Sequence, residues 1–202
     1  MNNRNFDKLM LEEIAALKGT KTLLLHCCCA PCSSACLERL KDYFKITVLF
    51  YNPNIGGEEY ERRKGELIRL IKETGWADFL DCDHLEEEFY SAVKGMESCP
   101  EGGNRCRECF RLRLEKTAEL ADENNFDYFT TTLTVSPLKD AALINKIGES
   151  LKGSSKWLYS DFKKRNGYLR SCELSKEYSL YRQDYCGCEF SRLYSLEKKS
   201  EK

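Results

Sequence analysis

Short apolar runs alternate along this chain with longer segments whose apolar residues recur at helical spacing, and this alternation limits the folds open to it. The runs "TLLLH" (22–26), "ITVLFYNPNI" (46–55), "ADFLDCD" (77–83), "FDYFTTTLTV" (126–135) and "KWLY" (156–159) read as strands. Helical spacing covers 6–18, 32–44, 58–76, 106–125 and 140–153. The pattern predicts an α/β, Rossmann-like fold: a parallel sheet with helices on both faces and functional loops at the carboxyl ends of the strands. From Asp161 the chain is rich in Tyr, Lys and Arg and less periodic. The expected division is therefore an α/β unit at 1–160 and a C-terminal extension at 161–202 packed on the same domain.

Twelve cysteines stand at 27, 28, 29, 32, 36, 82, 99, 106, 109, 172, 186 and 188. A chain of 202 residues can bury a core large enough to fold without disulfides or metals, so this many thiols calls for a chemical reason. The opening "MNNRNFDKLMLEEIAALKG" mixes charged and apolar residues and lacks a signal-peptide core, which predicts a reducing, cytoplasmic setting. No segment approaches the roughly 20 apolar residues of a bilayer span, so no membrane partner is expected. A formal charge of -1 provides no global field for nucleic acid and leaves only a local patch.

The first thiol motif, "HCCCAPCSSAC", falls where the first strand stops and a helix begins. Free amides and the partial positive charge of a helix start favour thiolates there. In a strand Cys28 and Cys29 would point to opposite faces, so sharing one centre requires the chain to leave the strand, and Ala30-Pro31 gives it a reason to do so. Cys36 reads as a buried thiol. The second motif, "CPEGGNRCREC", opens a helix with Cys106 and Cys109 one turn apart. Four soft thiolates from two loops suit zinc or an iron-sulfur cluster, and spacing alone does not choose between them. The third, "YCGC", separates Cys186 from Cys188 by one glycine, which suits a redox pair or a chelate. Cys82 and Cys99 have no partnered spacing.

Phosphate-binding signatures GxxxxGK[ST] and GxGxxG are absent from the sequence, which leaves nucleotide hydrolysis and dinucleotide chemistry unsupported. His26 suits either a metal ligand or a hydrogen-bonded structural residue. His84 reads as part of a helix-start turn, with Asp81 and Asp83 as solvated carboxylates or hard ligands.

Taken together, "HCCCAPCS", "PEGGNRCRECFRLRL", "FTTTLTVSPLKD" and "YCGC" resemble the QueH family of epoxyqueuosine reductases, from the first strand to about residue 192. The resemblance implies a fold of the adenine-nucleotide alpha-hydrolase type without its ATP chemistry. It implies reduction of the epoxycyclopentane of epoxyqueuosine at the tRNA anticodon wobble position to the cyclopentene of queuosine. Carried over by motif, Cys28, Cys29, Cys106 and Cys109 would hold a [4Fe-4S] cluster, Cys32 would ligate an adjacent metal ion, expected to be iron, and Cys186 and Cys188 would cycle between dithiol and disulfide. Cys27 departs from the family pattern by making a triple of its double, and alignment on Ala-Pro selects 28 and 29. The electron donor is unidentified, and Asp83, Asp161 or water would supply protons. For tRNA, the expected surface is Lys163, Lys164 and Arg165, with Arg105, Arg107, Arg111 and Arg113 and with Tyr159, Tyr168 and Tyr185 as stacking platforms. Two other classes use the same thiols: a zinc-stabilised nucleic-acid-binding module, and a metal-free thiol-disulfide oxidoreductase.

Overall fold

Leu23, Leu24 and Leu25 are each fully buried, which a strand allows only when both of its faces are covered. The computed structural model describes the main chain of residues 4–200 and the side chains of residues 4–197. In chain order its elements are α1 (Phe6–Ala15), β1 (Lys21–His26), α2 (Ala30–Leu40), β2 (Phe44–Leu49), α3 (Gly57–Thr74), β3 (Asp78–Leu80), α4 (Glu86–Ala92) and α5 (Asn104–Glu123), then β4 (Tyr128–Thr131), α6 (Ala141–Ser150), β5 (Lys156–Trp157), α7 (Gly167–Glu177) and α8 (Glu189–Ser200). The five strands are all parallel, in the order β3-β2-β1-β4-β5. Strand order reverses between β1 and β4, so the carboxyl end of β1 opens at a topological switch point, where such sheets bind ligands.

Alternation along β1 sorts its side chains. Leu23 and Leu25 pack with Met10, Leu37, Ile46, Val48 and Leu67, while Leu24 packs on the other face with Leu49, Leu114, Phe129 and Ile144. Each fully buried leucine contributes roughly 1.5–3 kcal/mol. Cys27 keeps the odd parity and joins the first core beside Cys36, and Cys28 joins the second. The extra cysteine of the triple is therefore a core residue, and burial pushes the Cys27 thiol above its ordinary range.

Several boundaries differ from those expected. The helix predicted over 32–44 stops at Leu40, because Phe44, Ile46 and Val48 already face the core as alternate residues of β2. Strand β2 ends at Leu49, three residues ahead of the Asn52-Pro53-Asn54 turn expected to close it, and the Asn52 side chain donates to the Cys27 carbonyl at 2.8 Å. The run predicted as a strand over 126–135 keeps strand geometry only to Thr131, then tightens into a 3-10 turn at Thr132–Val135. The Thr131 hydroxyl accepts the Leu133 amide at 3.2 Å, a local bond that competes with the ladder. The CxxC helix does not follow a strand directly, since α4 lies between β3 and α5. The tail, aperiodic by sequence, forms α7 and α8 among the described residues; residues 201 and 202 of the expected extension lie outside them.

Asp127 ties the start of β1 to the start of β4. Its carboxylate accepts the Thr22 amide and hydroxyl at 2.9 Å each and the Lys21 ammonium at 2.8 Å. These bonds, led by Lys21, hold its carboxyl at about 2, below the usual 3.8. The carboxylate therefore stabilises the fold fully above the unfolded value, and that contribution disappears as pH falls through about 2. Asp127→Asn should lower stability by roughly 1 kcal/mol at neutral pH, a modest figure because the group is partly solvated. Denaturant titrations should find this deficit constant down to about pH 5 and closing toward pH 2; an equal deficit at both ends would show that the ionised form contributes nothing.

Candidate metal-thiolate active site

The Cys27 amide donates to the Leu49 carbonyl at 2.9 Å, the last ladder bond of β1. Two residues later Cys29 caps α2 in extended geometry, with Pro31 in the first turn, where its missing amide costs nothing. The chain thus leaves the strand between Cys28 and Cys29, and their sulfurs come to 3.9 Å. With Cys32 they form a group whose three sulfurs all lie within 4.8 Å of one another. Hydrogen bonds from Cys29 and Cys32 push the Cys28 thiol well below its ordinary value, and the same bonds push Cys29 up to about 12 and Cys32 upward. A soft cation placed here would displace the thiol protons.

A cavity of about 560 Å³ opens beside this group and is lined by Cys28, Cys32, Cys106, Cys109, Cys186 and Cys188. Cys29 is buried. The CxxC thiols sit in the first two turns of α5, where the Gly102 amide donates to the Cys106 sulfur at 3.2 Å. Burial pushes Cys106 upward and Cys109 up to about 12. The CxC thiols are both free, on the turn that leads into α8. Arg63 of α3, buried and paired with Glu59 at 2.5 Å, donates to the Cys186 carbonyl at 2.9 Å. The Ser191 hydroxyl accepts the Gly187 amide at 3.2 Å.

Among the other expected residues, His26 has both ring nitrogens engaged, Nε2 with the Tyr51 carbonyl at 3.0 Å and Nδ1 with the Thr131 hydroxyl at 2.8 Å. A carbonyl only accepts, so Nε2 carries the proton. Burial holds the ring neutral, with its value lowered to about 4. His26 is thus a structural bridge between β1, β4 and the chain after β2. His84 stacks on Tyr60 with centroids 3.5 Å apart, and Asp81 pairs with Lys64 at 2.6 Å. Cys36 is buried and donates to the Cys32 carbonyl at 3.3 Å.

The expected basic patch lies off the cavity. Lys163 pairs with Asp161 at 3.0 Å and Arg165 with Asp7 at 2.9 Å, and neither they nor Lys164 line the cavity. Tyr159 stacks on Phe6. Arg107 and Arg111 lie outside the cavity, and Arg111 pairs with Glu108 and Glu115. The cationic lining consists of Arg105, Arg113, Lys139 and Arg182, with Tyr168 and Tyr185 beside them.

Sequence reasoning missed Arg63 and Lys139. Arg63 carried a readable signal: it falls on the buried stripe of α3, with Tyr60, Leu67, Leu70 and Ile71. Lys139 lies in an irregular loop and carried none.

The donor set is soft sulfur throughout. Four buried polar atoms of lining residues, Asn54 Oδ1, Arg105 Nε, Arg113 Nη2 and Gln183 Oε1, lack partners among the described residues. This arrangement fits an anionic metal-thiolate group.

A thiol-lined pocket at the switch point of a parallel sheet, with no nucleotide-binding loop, defines an α/β enzyme of redox or metal-thiolate chemistry. Residues 23–193 match the family described as "Epoxyqueuosine reductase QueH". The chain is 43% identical over 198 residues to the epoxyqueuosine reductase QueH of Streptococcus pyogenes serotype M1, covering 93% of this chain and 78% of that protein. It is 39% identical over 202 residues to that of Staphylococcus epidermidis, covering 94% and 85%, and 36% identical over 186 residues to that of Thermotoga maritima, covering 89% and 95%. The chain belongs to the QueH family of epoxyqueuosine reductases, and is accordingly an oxidoreductase. No helix among its described residues is long and apolar enough to cross a membrane.

Gly187 has φ +134, and a Cβ there would come within 2.7 Å of Ile55 and 3.1 Å of the Arg63 guanidinium. Gly187→Ala should cost roughly 1–3 kcal/mol and lift the turn off Arg63. Cys188, now 8% exposed, should then alkylate several-fold faster, read by peptide mass mapping over time; wild-type rates would mean that the turn needs no glycine.

Proposed function

We propose that this chain reduces epoxyqueuosine to queuosine at the wobble position of tRNA, using a [4Fe-4S] cluster held by Cys28, Cys29, Cys106 and Cys109 and an adjacent iron ion with Cys32 as a ligand. The observation that carries this reading is the convergence of six cysteines from three separate segments on one cavity at the switch point. We assign residues 1–160 to the metal-binding unit and 161–202 to an extension that carries the redox pair, in a cytoplasmic enzyme.

Opening an epoxide to an alkene consumes two electrons and two protons and releases one water. A bound cluster supplies one-electron transfer and a Lewis-acidic iron for the oxygen. Oxidation of the Cys186 and Cys188 dithiol to a disulfide releases two electrons and two protons, which matches one turnover, and an external reductant must restore the dithiol. Arg182 and Tyr168 at the cavity suit phosphate and base contacts, and Lys163, Lys164 and Arg165 extend a basic surface elsewhere.

The 4.8 Å limit on the Cys28, Cys29 and Cys32 sulfurs also suits a single tetrahedral zinc ion, whose bonds to sulfur run about 2.3 Å. Anaerobic purification followed by iron, sulfide and zinc analysis separates the two readings. About four sulfides per chain are expected, and stoichiometric zinc without sulfide would overturn the cluster. Serine at Cys28, Cys29, Cys106 or Cys109 should deplete iron and abolish turnover, while the Cys186→Ser/Cys188→Ser double variant should keep its iron and lose multiple turnover. Full iron occupancy in all four single variants would exclude that ligand set.

Neutralising Lys163, Lys164 and Arg165 together should weaken anticodon stem-loop binding and flatten its salt dependence, as released counterions require. An unchanged slope in a binding titration would remove the patch from the interface.

A further inference from the structure

Five cationic side chains stand at or beside the thiol site, Arg63, Arg105, Arg113, Lys139 and Arg182, and three of them are engaged by other groups. Arg63 is paired with Glu59, and its remaining donors go to the carbonyls of Tyr185 and Cys186. Arg105 spends its Nη1 on the carbonyls of Met96, Glu97 and Cys99 and lies 4.4 Å from the Phe190 ring, although its buried Nε has no partner among the described residues, and Arg182 donates to the Ser171 carbonyl at 3.4 Å and the Ser175 hydroxyl at 3.1 Å. Arg113 and Lys139 are different. Arg113 is 1% exposed and makes one hydrogen bond, from Nε to the Cys109 carbonyl at 3.0 Å, while its buried Nη2 has no partner among the described residues. Lys139 is half-buried. Among the described residues neither enters an ion pair with a carboxylate. Both line the cavity together with Cys28, Cys32, Cys109 and Cys186. The carboxylates of that lining, Glu101, Asp140 and Asp184, are exposed, and Asp140 caps α6 through the Ala142 and Leu143 amides.

An unpaired cation buried in a folded chain is costly, and the usual resolution is an anion at the same place. Four thiolates on the dicationic core of an iron-sulfur cubane would leave a dianion, and a ferrous ion beside it with the Cys32 thiolate would add one positive charge, so the centre would stay anionic, with Arg113 and Lys139 on the wall of its cavity. We infer that Arg113 and Lys139 are the charge-compensating residues of the metal-thiolate centre and raise its reduction potential, because the reduced state carries one more negative charge for them to attract. The inference rests on the cluster reading above and adds the residues that tune it.

The test is a redox titration of the reconstituted protein, monitored by visible absorbance and electron paramagnetic resonance, with iron and sulfide measured in each sample. The variants are Arg113→Met, Lys139→Met, the charge-keeping Arg113→Lys and Lys139→Arg, and Lys146→Gln, which removes one exposed charge from α6. At the wild-type midpoint, each Met variant should show at least a tenfold lower ratio of reduced to oxidised centre, which is about 59 mV for a one-electron couple. The Lys and Arg replacements and Lys146→Gln should stay at the wild-type midpoint. Loss of the centre in Arg113→Met with retention in Arg113→Lys also supports the inference, and Lys139→Met, at the half-buried position, keeps the test open if Arg113→Met does not fold. An unchanged midpoint in Lys139→Met with full iron overturns it, as does an equal shift in Lys146→Gln. Wild-type protein that takes up no iron and sulfide overturns the cluster reading together with this inference, whereas iron-loaded variants with unaltered midpoints overturn only the inference.

Discussion

The bond from the Cys27 amide to the Leu49 carbonyl closes the ladder of the central strand, and the site is built from where that ladder stops. Were the ladder to run on past Cys27, Cys28 would be a strand residue facing one way and Cys29 another. Because pairing ends at Cys27, Cys29 is free to cap α2, and Pro31 keeps the helix from starting earlier with a wasted donor. The Asn52 side chain then takes up the Cys27 carbonyl, so the chain leaves the sheet without stranding a buried acceptor. His26, fixed at both nitrogens, fastens the last residue of β1 to β4 and to the turn after β2. Neighbouring cysteines are thereby converted from residues on opposite faces into residues on one centre.

Concentrating thiols creates an electrostatic problem that the second half of the fold answers. Sulfur buried beside sulfur is hard to ionise, as the upward shifts of Cys29, Cys32 and Cys109 show. Charge has to come from elsewhere in the chain, and it comes from helix interiors. Arg113 occupies the same buried stripe of α5 as Cys109, Phe110, Leu114, Thr117 and Ala121, and Arg63 occupies that of α3. A leucine at either place would pack more cheaply. Arg63 is answered by Glu59, whereas Arg113 has no carboxylate partner among the described residues and stands beside the thiols.

Much of this was legible because the elements that form the sheet obey simple periods. Leu23 to Leu25, the stripe of α3 and the cap of α6 by Asp140 each follow from local rules, and the thiol motifs fall in loops or helix starts as their spacing implies. Legibility failed where side chains from distant elements set the backbone. The 3-10 turn after Thr131 depends on a threonine hydroxyl also shared with His26, and no window of sequence contains both residues. The charged face of α3 carried no reading beyond helical spacing, yet the structure gives it a partner.

That partner is the irregular segment carrying Cys186 and Cys188. Arg69 donates to the Tyr178 carbonyl at 2.9 Å, Glu66 accepts the Tyr181 amide at 2.9 Å, the Arg62 guanidinium lies 3.4 Å from the Tyr181 ring centre, and Arg63 reaches the Cys186 carbonyl. Residues 59, 62, 63, 66 and 69 form one polar rail along α3, as spacing by threes and fours requires. The segment has no period of its own because its backbone is satisfied by this rail rather than by a helix or a strand. Leu180 is its main deep apolar anchor. Contacts of this kind stabilise weakly and break locally, so the segment belongs to the low-stability end of the molecule while the sheet holds. On the proposed cycle, a dithiol that faces the cavity in one half and an external reductant in the other would be well carried on such a segment, held by polar contacts that can be remade.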